Sequence, residues 1–254
     1  AGLVGGTINQ TGGTAQITGN LNLQGGVVNL STLGLTSLNL NGSGTADVVT
    51  GGGLGNELTA NPGFALTSTS GELVGVKLGT GLTVNGTTYF SGGLTLNNST
   101  LTLNSNVLEY VGTQTLGGTG SILFGGTGYS QIYSNNTGQT LTIDPGITLN
   151  ASATGNVRLG YYAADTILLK GTLNANTAKT WQTASLTNEG TINVSAGIFN
   201  LGQAASGTAT WSNAAGTINL SGGTLNLDGN FTRAGLAGGT INQTGGTAQI
   251  TGNL

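Results

Sequence analysis

The sequence predicts an all-β protein, a parallel β-helix (β-solenoid) of about 9–12 coils, and three observations predict it: short alternating stretches, repetition at two scales, and scarcity of charge. Ile192-Asn193-Val194, Ile218-Asn219-Leu220 and Leu225-Asn226-Leu227 set apolar and polar residues in turn, which is the two-residue period of a half-buried strand. The same form runs from Leu21-Asn22-Leu23 to Val28-Asn29-Leu30 and, more loosely, from Leu94-Thr95-Leu96 to Leu101-Thr102-Leu103. Helical spacing is absent, and Gly, Asn and Thr are poor helix formers.

Repetition gives these strands their arrangement. The runs 1–21 and 234–254 are identical except that Val4 in the first is matched by Ala237 in the second. Residues 1–254 therefore read as one continuous solenoid segment, 1–233 being one long unit and 234–254 the start of the next. Inside the unit, Thr191, Thr217 and Thr240 recur at a nearly even interval, the length of one coil of several short strands. Such coils bury their apolar faces by stacking on neighbours. Regular Asn-Gly or Asp-Gly hairpin loops are missing, which leaves an antiparallel sandwich as the second choice.

Stacking also explains the composition. Only 5% of residues are charged and 49 are glycine, against about 25% charged and about 7% Gly in ordinary domains. In-register coils bring like side chains within about 4.8 Å, where equal charges repel and Asn or Thr bond along the stack. Asn193, Asn219 and Asn242 are expected to form such a ladder. Glycine suits corners that need positive φ or no Cβ. With 36% hydrophobic residues and 2 Pro the chain is built to bury a core rather than stay disordered. Asn61-Pro62-Gly63 and Asp144-Pro145-Gly146 read as turns on one edge, and the stretch 51–81, the least regular, as a protruding loop or imperfect coil.

The same composition excludes functions. There is no Cys and no His, so disulfides, nucleophilic triads and most metal sites are ruled out. Five basic residues against eight acids leave no patch to neutralise phosphates, and nucleic acid is not an expected partner. No apolar run is long enough to predict a membrane-spanning helix. The chain opens at Ala1 without a signal peptide, starting and stopping inside repeats, and so reads as a fragment.

The runs GGTINQTGGTAQITGNLNL, TQTLGGTGSILFGG, LTIDPGITLNA, LTNEGTINVSAG and GGTLNLDGNFT resemble the repeats of giant bacterial surface and adhesin-like proteins, of the autotransporter-passenger and filamentous-haemagglutinin kind. The resemblance covers essentially the whole chain. It implies a right-handed parallel β-helix outside the cell, at the surface or secreted, serving as fibre, spacer or adhesin. Further copies of the repeat, end to end, and surface glycans are the partners it implies. It carries over no catalytic residue.

Candidate chemistry is sparse. Asp47, Glu57, Glu72, Glu109, Asp144, Asp165, Glu189 and Asp228 are spread along the chain, and only Asp165 and Lys170 are placed to meet locally. Paired-carboxylate catalysis needs two such groups roughly 5–10 Å apart; no enzyme, cofactor or metal is expected. Gly117-Gly118-Thr119-Gly120 lacks the Asp of a calcium nonapeptide. Thr-x-Thr triplets do not recur once per coil, which argues against an ice-binding array. Tyr161, Tyr162, Trp181 and Trp211 are the candidates for glycan contact. In a strand Tyr161 and Tyr162 would face opposite sides, one of them outward, whereas core stacking is the simpler role for the two tryptophans.

Overall fold

The computed structural model describes residues 12–17, 21–23, 26–41, 47–50, 57–152, 155–213 and 215–254. The first copy of the repeated run 1–21 therefore lies in part outside the described residues. Strands dominate, and every strand pairing among the described residues is parallel. The fold is a β-solenoid. An antiparallel sandwich is overturned by this pairing.

Three faces stack in turn. The first face begins with Ala15–Ile17 and ends with Thr240–Gln243, the second runs from Leu21–Asn22 to Thr247–Ile250, and the third starts at Val27–Asn29. The first face carries an aliphatic column: Ala15 stands in register with Leu38, then Leu66, Leu82, Leu101, Ile122, Leu149, Leu173, Ile192, Ile218 and Ile241. From Leu38 to Ile218 each is essentially inaccessible to water. Burying one such side chain stabilises by about 1.5–3 kcal/mol, so the column is the axial spine of the core.

Coil length is less regular than the threonine spacing implies. The coil from Leu66 to Leu82 is little more than half as long as the one before it, from Leu38 to Leu66. The variation is absorbed at corners. Asn61-Pro62-Gly63 and Asp144-Pro145-Gly146 close turns between the third and first faces, with Phe64 N–H donating to Asn61 O at 3.2 Å and Ile147 N–H to Asp144 O at 3.0 Å. Within the irregular stretch 51–81, the described part forms strands Glu57–Thr59, Ala65–Ser70 and Glu72–Leu78 rather than a protruding loop. Gly75, at φ +59°, bends the last of these from the second face to the third.

A second kind of corner uses glycine for closeness, not for positive φ. Gly190 immediately precedes Thr191 at the entry to the first face, and a Cβ there would collide with Gly171 O. Gly239, before Thr240, would collide with Gly216 O in the same way. The corner backbones of successive coils touch, and no side chain fits between them.

Candidate functional site

The first face is free of charge. None of its strands contains Asp, Glu, Lys or Arg, and in its later coils Thr172, Thr191, Thr217 and Thr240 stand in register, each with Asn at the next position on the same side of the strand. The asparagines bond in series. Asn242 Nδ2 donates to Asn219 Oδ1 at 3.0 Å, Asn219 Nδ2 to Asn193 Oδ1 at 2.9 Å, Asn193 Nδ2 to Asn174 Oδ1 at 2.8 Å, and Asn174 Nδ2 to Asn150 Oδ1 at 2.9 Å. The structure thus brings Asn193, Asn219 and Asn242 together and adds Asn150 and Asn174. The Thr-x-Asn triplet recurs once per coil there, a regularity that inspection of Thr-x-Thr alone does not reveal.

The second face is chemically different. Glu72, Tyr89, Glu109 and Tyr133 follow one another in register. Beside them a polar column passes through Gln131, Arg158, Gln182, Asn200 and Asn226. Arg158 donates to Gln131 Oε1 at 2.9 Å and to Gln182 Oε1 at 3.3 Å. Its guanidinium lies 4.6 Å from the Tyr129 ring centre and 5.5 Å from that of Tyr161, within cation–π range. Tyr161 in turn stands 5.6 Å from Tyr133 and 5.1 Å from Tyr162. Five of the six tyrosines lie on this face and its corner, two of them, Tyr129 and Tyr161, against the Arg158 cation; Tyr110 is in the core.

Tyr161 and Tyr162 do not sit in a strand, so the expectation that they face opposite sides fails. Gly160, at φ +78°, ends strand Asn156–Leu159 and turns the chain. Tyr162 makes only an isolated bridge to Ser206, and both rings stay half-buried on the surface. Tyr129 is the most open, 38% exposed. Burial, and then the charge of Glu109, raise the pKa of Tyr89 and Tyr133. Burial also raises that of Glu109. Both phenols therefore stay protonated and keep a hydroxyl donor.

The tryptophans are corrected as glycan contacts. Trp181 is fully buried, edge-on to Phe124 at 5.3 Å. Trp211 is 4% exposed, packs on Phe231 at 4.6 Å and spends its Nε1–H on Asp228 O at 2.7 Å. It floors an open groove of about 620 Å³ beside Thr187, Asn230 and Gly235, but presents no free donor. The carboxylates likewise do not converge in the way local spacing suggests. Asp165 is buried, accepting from Ser134 Oγ and from Gln139 N–H at 3.2 Å, while Lys170 turns to Glu189 at 4.0 Å. Glu57 pairs with Lys77 at 3.1 Å and accepts from Asn97 at 2.7 Å. Asp47 stands in backbone register with Glu72, the one like-charged pair that stacking aligns among the described residues.

The sequence expectations missed Tyr89, Glu109, Tyr129, Tyr133 and Arg158. Only a local signal was present: Tyr129, Gln131 and Tyr133 occupy alternate positions, whereas it takes the strand pairing to show Tyr89, Glu109 and Tyr133 one coil apart each time.

Fold and faces together define a parallel β-solenoid built of repeated coils, with one uncharged Thr/Asn face and one tyrosine-lined face. Compared with family models, curated proteins and solved structures, the chain matches none.

Proposed function

We propose that the chain is the structural shaft of an extracellular bacterial fibre or giant adhesin, giving length and rigidity at the cell surface. The observation that carries this reading is the unbroken aliphatic column of the first face, in register from Ala15 to Ile241. A stack of that kind has no internal reason to stop, and each added coil extends it by about 4.8 Å. Repeat and register together favour further copies of the same unit as the partner along the axis. The outside-the-cell location rests on the resemblance of the repeats. The reading assigns the chain no catalytic role.

Electron microscopy of chains carrying one, two and three consecutive units tests it: straight rods that lengthen by about 50 Å per unit are expected. Globules joined by flexible spacers would sink the reading.

The tyrosine face favours a second, compatible role, contact with surface glycans. Tyrosine rings stack on the C–H faces of pyranoses while Arg158, Gln131 and Gln182 offer donors and acceptors to hydroxyls. Glycan-array binding is expected to disappear in Tyr133→Ala and Tyr161→Ala variants that keep the wild-type circular dichroism. Unchanged binding in both would remove this role.

A further inference from the structure

The described parts of the two copies of the run, Ala15–Ile17 and Leu21 in the first and their counterparts in the second, do not occupy the same faces. Ala15–Ile17 pairs with Leu38, Asn39 and Leu40 on the first face. The identical tripeptide Ala248-Gln249-Ile250 pairs with Leu225, Asn226 and Leu227 on the second face. A second marker agrees. Leu21 pairs with Val49 on the second face, whereas its counterpart Leu254 follows Asn253, which bridges Asn230 on the third. Whole turns of the solenoid return the chain from Ala15 to the first face at Ile241, and Ala248 lies one face beyond.

We propose that successive copies of the 1–233 unit enter the solenoid one face out of phase, each rotated about the axis by one third of a turn, about 120°. This rests on the shaft reading above and determines what such a shaft displays. The uncharged Thr/Asn face and the tyrosine face of one unit are each followed, along the same side of the fibre, by a different face of the next. Three units, about 150 Å of axis, return the original pattern. A fibre of in-phase units would carry its tyrosines along one side, fit to lie flat on a surface. The out-of-phase fibre shows a tyrosine face on all three sides in turn, so its contacts with a glycan layer do not depend on how it is rolled.

Two mechanical reasons support the offset. Coil length varies, the Leu66-to-Leu82 coil being far shorter than the Leu38-to-Leu66 coil, so nothing forces a unit to hold a whole number of turns. Side-chain pairing accepts it too: Gln249 stands in register with Asn226 on the second face as Gln16 stands with Asn39 on the first.

The chain has no cysteine, so paired substitutions read the phase directly. Gln16→Cys with Asn39→Cys, and Asn226→Cys with Gln249→Cys, are register neighbours at a spacing that disulfides accept. Both pairs are expected to cross-link rapidly on mild oxidation, and Asn219→Cys with Gln249→Cys is not. Cross-linking of 219 with 249 in place of 226 with 249 would place both copies on the first face and overturn the offset, leaving the shaft reading intact. Cryo-electron microscopy of a two-unit chain completes the test. One continuous rod whose halves superpose after a rotation near one third of a turn is expected. A rod whose halves superpose by translation alone overturns the inference, and two jointed bodies overturn the shaft reading and the rotation with it.

Discussion

Asn219 sits in the middle of a bonded series, donating to Asn193 and accepting from Asn242, so its amide serves two interfaces at once. Replacing it with Asp keeps the shape but removes the donor and puts a charge in an uncharged column. Asn219→Asp is expected to cost about 1–3 kcal/mol in chemical denaturation; a loss indistinguishable from zero would show the ladder to be ornamental. The acids of the other faces carry opposite pH signatures. Burial raises the pKa of Glu109, so relative to the unfolded chain its contribution is favourable below the ordinary carboxyl value and lost as pH rises through the folded one. For Glu57 burial also pushes upward, but the bonds from Asn97 and Lys77 and the charge of Lys77 together hold it below the ordinary value. Its contribution is present above that value and lost as pH falls. Glu109→Gln should therefore raise the melting temperature at neutral pH and lose that gain near about pH 4. A gain that persists at the lower pH would assign it to packing instead.

The corners decide how coils can stack, and here close backbone approach outranks conformational freedom. A Cβ at Gly190 would strike the backbone oxygen of Gly171, an atom that moves only if the coil moves. Gly190→Ala should cost about 1–3 kcal/mol as an overpacked site, read from the denaturant midpoint, and no loss would mean the coils separate freely. Trp181→Ala acts on the same scale from inside, opening a cavity beside Phe124, with an expected loss of about 3–5 kcal/mol in the same measurement. Strand direction, stacking and the Asn column were legible in the sequence because alternation and charge scarcity each follow from a single physical cause, burial on one side and like-on-like spacing. The tyrosine face was not. Tyr89, Tyr133 and Tyr161 are brought together by coil lengths that vary with each corner, and no fixed period connects their positions. Trp181 is where the simpler reading holds: weighed as a glycan contact but more simply read as core, it lies in the inward register of Val157 and Phe199.

At the scale of the molecule the stack of residues 1–254 closes on open strands. Most residues of the stack bury their apolar side on both neighbours, but the last coil has one neighbour, and Ile241 is 38% and Ile250 62% exposed there. Thr240–Gln243 and Thr247–Ile250 also leave one row of backbone donors and acceptors without strand partners. Exposed strand edges that are flat, apolar and uncharged recruit other strands. The short helix Arg233–Ala237 packs beside Trp211–Ser212 and does not cover that edge. The chain 1–254 is accordingly expected to associate end to end as its concentration rises. Charging the terminal coil should suppress this: Ile241→Lys with Ile250→Lys places two ammonium groups where a facing coil would stack, at the open end of the columns that reach Ile218 and Leu227. Sedimentation velocity distinguishes the cases. Wild-type chains should show a concentration-dependent series of elongated oligomers and the double variant a monomer of unchanged circular dichroism. A wild-type chain that stays monomeric across the range would mean that the open edge is satisfied by solvent alone, and that growth of the stack requires covalent continuity of the units.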